Sequence, residues 1–265
     1  MTQRLYDSLA IPDSCHLGKR VFKKLFDENA ELTAGDRKAL ADDVDTITWQ
    51  YTLKPSTIQI PVFEDAEREY HEVAVLEAGL KGRAKAARLA EVIHRAIPYP
   101  VVLVLSDRVG LPTSDGTTAQ AAQHAMLSLA TKRLSRAEKS AIVADEFFNT
   151  DWLNLSAPTP VQAQFLASLS VRGLPHTNFL DFYAAMIDRV LALQASRLSG
   201  RFRVVAAGEE REARRRRLSE CRSIELQIGA LRAAFKAETH FNRQVELNTK
   251  IKALQKRLEG EVAGL

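Results

Sequence analysis

The 265-residue chain has only two cysteines, Cys15 and Cys221, far apart and outside any Cys-x-x-Cys pair. That excludes a disulfide-framed secreted module and points to a reducing compartment. No basic segment followed by an apolar run of signal-peptide length opens the sequence, and no later run approaches the roughly 20 apolar residues of a membrane span. The expectation is a cytoplasmic protein without a membrane partner. Gly-x-Ser-x-Gly and Gly-x-x-x-x-Gly-Lys-[Ser/Thr] are both missing, and the stretch RVGLPTSDGTT has no lysine placed to hold a phosphate, so it reads as an ordinary turn. The histidines, His16, His71, His94, His124, His176 and His240, form no i, i+4 pair and have no neighbouring ligand at zinc spacing. No cofactor is expected. Internal repeats and low-complexity tracts are also missing.

What is present suits a folded chain. Hydrophobic residues make up 46% and charged residues 26%, enough apolar surface for a sizeable core. The net charge of +4 is modest, but it is concentrated. Lys19, Arg20, Lys23 and Lys24 crowd near the start, and Arg214, Arg215, Arg216 and Arg217 follow one another later. Such clusters suit a polyanion or an acidic protein surface, and equally a solvated helix face.

Periodicity organises the chain. LGKRVFKKLFDENA spaces Val21, Phe22, Leu25 and Phe26 for one face of a short helix. Thr33 followed by Asp36 is a near capping box that starts a second. TITWQYTL and TIQIPVF read as strands joined by the turn KPS, and HEVAVLEAGL as a third. GRAKAARLAEVIHRAI is a helix and YPVVLVLSD a strand apolar on both faces, which together with the preceding strand predicts a right-handed parallel βαβ unit. AQHAMLSLATKRL, equally readable as a helix, and KSAIVADEFF are further candidate strands, with Asn149, Thr150 and Trp152 as a cap and a buried anchor after them. Past Pro158 and Pro160, VQAQFLASLSVRG and NFLDFYAAMIDRVLALQASRL are helical. From Glu209 to Glu259 there is no proline. There Leu218, Ile224, Ile228, Leu231 and Phe235 step as a packing seam, and Leu247, Ile251, Leu254 and Leu258 repeat the stepping after a phase slip. A stutter or break near His240 is expected. The predicted class is α+β: a mixed β-sheet with flanking helices over 1–156, a helical segment over 157–205, and a long coiled-coil-like helix or hairpin over 206–262.

Helix, three strands, helix, strand from Thr33 to Leu105 is the order of elements in restriction-endonuclease-like nucleases, which resemble this segment in order alone. Such enzymes hold Mg²⁺ with two carboxylates and polarise water with a lysine. Asp65, Glu72 and Glu77 are the carboxylates available, but neither glutamate begins Glu-x-Lys. Trp49 and Tyr51 alternate on one strand, which puts them on one face, as core or as a stacking platform.

The ordered set TITWQYTLKPSTIQI, AIPYPVVLVL, KRL, EFFNTDWL and FNRQVELNTKIKAL resembles an uncharacterised bacterial and archaeal family, known only as a domain of unknown function and met beside superfamily-two helicases and DNA methyltransferases in restriction-like phage-defence clusters. The resemblance runs from about Ile11 to Leu258, with a loose match at IPDSCHLGKRVFKK. It implies a place in a defence complex with a helicase or methyltransferase partner, and carries over no catalytic residue. The expected function is therefore a non-catalytic accessory or scaffold subunit, with DNA or a second copy of the chain as further partners; a divergent metal-dependent nuclease and a plain DNA-binding module are the alternatives. The expected partner-reading face is Phe241, Asn242, Val245, Asn248, Ile251 and Leu254. The two asparagines either fix register at an interface or face water.

Overall fold

The computed structural model describes residues 2–29, 32–107, 124–136, 141–205 and 208–265. The stretch RVGLPTSDGTT, read as a turn, lies outside them. Contacts divide the chain into two compact units, Met1–Val190 and Leu191–Leu265.

The first unit is built on a mixed sheet. After α1 (Gln3–Leu9) come strand β1 (His16–Val21), helices α2 (Lys24–Asn29) and α3 (Ala34–Asp43), and strand β2 (Val44–Leu53). A single turn α4 (Pro55–Ile58) and the short strands β3 (Phe63–Glu64) and β4 (Glu69–Tyr70) lead to β5 (Val73–Leu80), α5 (Ala86–Ala96) and β6 (Val101–Asp107). Then follow β7 (His124–Leu134), β8 (Ile142–Asn149), β9 (Leu153–Asn154), α6 (Pro160–Ser168) and α7 (Phe179–Ser199). Seven of these strands form one sheet in the order β1-β2-β5-β6-β7-β8, with β9 also on β7. β5 and β6 are parallel and α5 crosses between them, as the buried apolar run of β6 predicts; the other pairings are antiparallel.

One face of the sheet packs Ile47, Leu76, Leu103 and Leu105 against Leu40 of α3 and Leu89 and Ile93 of α5. Helix α3 starts where the Thr33 and Asp36 pair predicts, with a complete capping box. Arg88 and Thr33 hold the Asp36 carboxyl far below the usual range, at about 2. Thr150 is buried and accepts the Leu127 N–H at 3.0 Å, so it ties the end of β8 to β7 and caps no helix, while Trp152 packs half-buried on the core under the Arg83 guanidinium, an anchor less enclosed than expected.

Three local expectations are corrected. Leu17 to Val21 are not helical: Lys19 pairs with Trp49 and Arg20 with Thr48 at the sheet edge. The i, i+3, i+4 spacing of Val21 to Phe26 fits a helix, but hydrogen bonding to β2 wins, and helix begins only at Lys24. TIQIPVF does not return along β2. Pro55 starts the turn α4, and only Phe63 and Glu64 are extended, in a separate two-stranded sheet with β4. Finally, Trp49 and Tyr51 do not share a face, because a bulge at Gln50 shifts the register from Trp49 opposite Leu76 to Tyr51 opposite Val75.

The second unit holds the end of α7 and an antiparallel pair, α8 (Glu209–Ala237) and α9 (Phe241–Ala263). The phase slip is a true break. At Glu238 to His240 the chain reverses, and the Glu238 carboxylate accepts the backbone N–H groups of Thr239 and His240 at 2.9 and 2.8 Å. Ile224 and Ile228 of α8 bury against Ile251 of α9, flanked by Leu231, Leu254 and Leu258, so both runs of apolar residues serve one seam. Each unit contains one cysteine, and both thiols are buried, Cys15 at 3% and Cys221 at 0% exposure.

Candidate functional site

Two places in the described residues combine accessibility with features the fold does not need: the start of α9, and a polar pocket around Glu77.

The expected partner-reading residues divide into two groups. Ile251 and Leu254 close the seam of their own hairpin. Phe241 and Val245, one helical turn apart at the start of α9, stand 75% and 49% exposed. Asn242 and Asn248 face water. The apolar pair thus forms a short unpartnered stripe next to the hairpin turn. Around it, from Leu226 to Lys252, Arg232, Lys236, Arg243, Lys250 and Lys252 outnumber Glu238 and Glu246.

The arginine run is largely committed to the fold. Arg214 is 3% exposed and its guanidinium donates to the carbonyls of Arg203 and, at 3.1 Å, Leu265. Arg217 donates to the Gly264 carbonyl at 2.9 Å. The Gly264 and Leu265 carbonyls lie just past the C-terminal turn of α9, where a helix has unbonded acceptors and a partial negative charge, so two of the four arginines cap the neighbouring helix. Arg216 is exposed. At the other cluster, Lys19 and Arg20 are exposed on β1, where charge discourages pairing of a free sheet edge. Lys23 donates to the carbonyls of Ala41 and Val44, closing the end of α3, and Lys24 opens the exposed start of α2.

The three carboxylates of the nuclease alternative are not brought together. Asp65 sits in the β3–β4 turn, bonded to Arg68 at 2.6 Å. Glu72 precedes β5 and pairs with Lys54 at 3.4 Å. Glu77 lies five residues further along the strand, roughly 16 Å at strand rise. Among the described residues no group of three or more His, Cys, Asp or Glu is placed to hold a metal ion.

Glu77 does occupy a site of a different kind. Its neighbours along β5 are all buried and uncharged, and its side chain points to the face opposite Leu76. There Oε2 accepts from Thr2 Oγ1 at 3.0 Å, Tyr6 Oη at 3.0 Å and Gln50 Nε2 at 3.2 Å, while Oε1 accepts from Ser106 Oγ at 3.1 Å. Gln3, His16 and Tyr51 complete a cavity of about 370 Å³. Two backbone irregularities aim these groups. The β2 bulge turns Gln50 and Tyr51 to this face, and on β1 the register shifts between His16 and Lys19. There Gly18 adopts φ +62°, and a Cβ on it would come within 2.9 Å of the His16 ring. The Tyr51 ring lies 5.7 Å from Tyr6 and 5.4 Å, edge-on, from His16. Burial, and then the negative charge of Glu77, push the Tyr6 hydroxyl above its ordinary value, so it remains a donor. Burial and the nearby carboxylates Asp13 and Asp7 do the same at Tyr51.

Sequence reasoning singled out Glu77 and Tyr51 but missed Thr2, Tyr6, His16, Gln50 and Ser106 as their company. The available signal was a lone charge inside VAVLEAGL, a strand otherwise apolar on both faces.

No curated protein and no solved structure matches the chain. Among the described residues no helix is long and apolar enough to cross a membrane. The model of one family, Domain of unknown function (DUF4391), matches residues 9–258, a range that contains all five motifs, and the chain belongs to that family.

Proposed function

We propose that the chain is a non-catalytic assembly subunit, and that the start of α9 is the surface it offers to its partner. The observation that carries this reading is the exposure of Phe241 and Val245, 75% and 49%, on a helix whose other large apolar side chains, Leu247, Ile251, Leu254 and Leu258, are half-buried or buried. Leaving such a pair in water forgoes on the order of 1.5 to 3 kcal/mol per side chain, which an interface would recover. The basic surroundings of the pair favour a partner with an apolar groove and an acidic rim. The resemblance drawn from the sequence motifs supports a helicase or DNA methyltransferase of a restriction-like defence complex as that partner. With Arg214 and Arg217 engaged in capping α9, DNA contact is secondary in this reading, carried by Lys19, Arg20 and Arg216.

The test is co-purification of the tagged chain from its native host, with mass spectrometry of the bound proteins for a helicase or DNA methyltransferase, for wild type and for Phe241→Asp combined with Val245→Asp. Because these residues stay out of the hairpin seam, the double variant should keep its circular-dichroism melt and lose the partner. Equal recovery by both proteins would rule out the start of α9 as the docking surface.

A further inference from the structure

The Glu77 pocket suggests an activity separate from assembly. A carboxylate has about four acceptor positions, two on each oxygen. Oε2 already serves three donors, whereas Oε1 serves only Ser106, so one acceptor position on Oε1 is left for something else. All four donors are neutral, and among the described residues no cationic side chain pairs with Glu77. Removing a carboxylate from water is costly even with hydrogen bonds, and a structural role in mid-strand would be served by a neutral residue. Asp7 and Asp13, which act on Tyr51, add negative potential from the same side. The wall formed by Tyr51, Tyr6 and His16 is aromatic, and the Gly18 and Gln50 irregularities present His16, Gln50 and Tyr51 to one cavity.

We propose that this pocket is a binding site for the guanidinium group of a small ligand. Guanidinium is planar, permanently charged and weakly hydrated. It donates through several N–H groups and stacks on aromatic rings. In the pocket its charge meets Glu77, one N–H reaches Oε1, and its face lies against Tyr51. A cavity of about 370 Å³ is large enough for more than the charged group, which fits a ligand of amino-acid size or the arginine side chain of a peptide.

Isothermal titration calorimetry on the full chain distinguishes these sources, with agmatine as the free small molecule and a blocked Gly-Arg-Gly peptide as the side-chain probe. Saturable binding of either probe is expected, weakened at least about tenfold in Glu77→Gln, which keeps the shape and removes the charge. Tyr51→Leu, which removes none of the four donors to Glu77, should weaken binding severalfold while the chain still melts cooperatively, and it preserves the test if Glu77→Gln fails to fold. Binding of agmatine alone assigns a metabolite site, and binding of the peptide alone a side-chain site. Absence of saturable binding by both probes, or affinity unchanged in the variants, overturns the proposal.

Discussion

His94 is completely buried, its Nε2 3.0 Å from Ser128 Oγ, and close to the Lys132 ammonium, which is buried as well and donates to the His94 and Ile97 carbonyls at the end of α5. Burial first, and then the charge of Lys132, lower the imidazole pKa to about 3. The folded-state value is below the unfolded one, so between pH 6.5 and about 3 the unfolded chain takes up a proton that the folded chain refuses. This contribution to stability is complete above pH 6.5 and is lost progressively as the pH falls toward 3, at about 1.4 kcal/mol per pH unit at most. Urea unfolding across that range should show a slope that His94→Gln reduces by close to one proton; an unchanged slope would show that the imidazole is charged in the fold. None of this could be read from the sequence, where His94 is one more histidine in an amphipathic helix. Glu77 was legible as an isolated charge, but Thr2 and Tyr6 donate to it across 75 and 71 residues, and no local pattern reports such a convergence.

At the scale of elements, the α8–α9 hairpin was the most legible part of the chain, because its seam recurs at helical spacing and its phase slips where the turn lies. Strand β1 was the least legible: Val21 to Phe26 have helical spacing, and the choice of strand is made by β2, whose positions Ile47 to Tyr51 lie more than 25 residues downstream. The sequence left open whether the run from Phe241 to Leu254 meets a helix of this chain, a second copy or another subunit; Ile251 and Leu254 meet α8. A substitution in the seam therefore tests the hairpin itself. Ile251→Ala removes a side chain only 8% exposed and should cost about 2 kcal/mol or more, seen as faster hydrogen exchange throughout α9. Leu254→Asp should melt the hairpin, so its loss of assembly would not locate an interface. If Ile251→Ala leaves exchange in α9 unchanged, the seam is not what holds the helix.

At the scale of the molecule, the division into Met1–Val190 and Leu191–Leu265 falls inside α7, where no glycine or proline marks it. Pro160, by contrast, stands at the first helical position of α6 behind the Thr159 cap, so punctuation there starts a helix within one unit. The boundary is invisible in the sequence because a continuous helix serves both units with different turns. The one cysteine in each unit gives the molecule a pair of internal reporters. A thiol at 3% or 0% exposure cannot be alkylated until its surroundings open, and burial together with Glu261, Glu225 and Glu220 pushes the Cys221 thiol up, which slows its reaction further. Pulse alkylation with iodoacetamide along a urea series, followed by peptide mass spectrometry, should show both cysteines protected in native buffer. It then yields an opening curve for each unit, with Ile251→Ala moving the Cys221 curve while leaving that of Cys15 in place. Rapid labelling of Cys221 in native buffer would contradict its burial. Opening of the two units around their own thiols can thus be timed without an added dye, a fusion or an engineered residue.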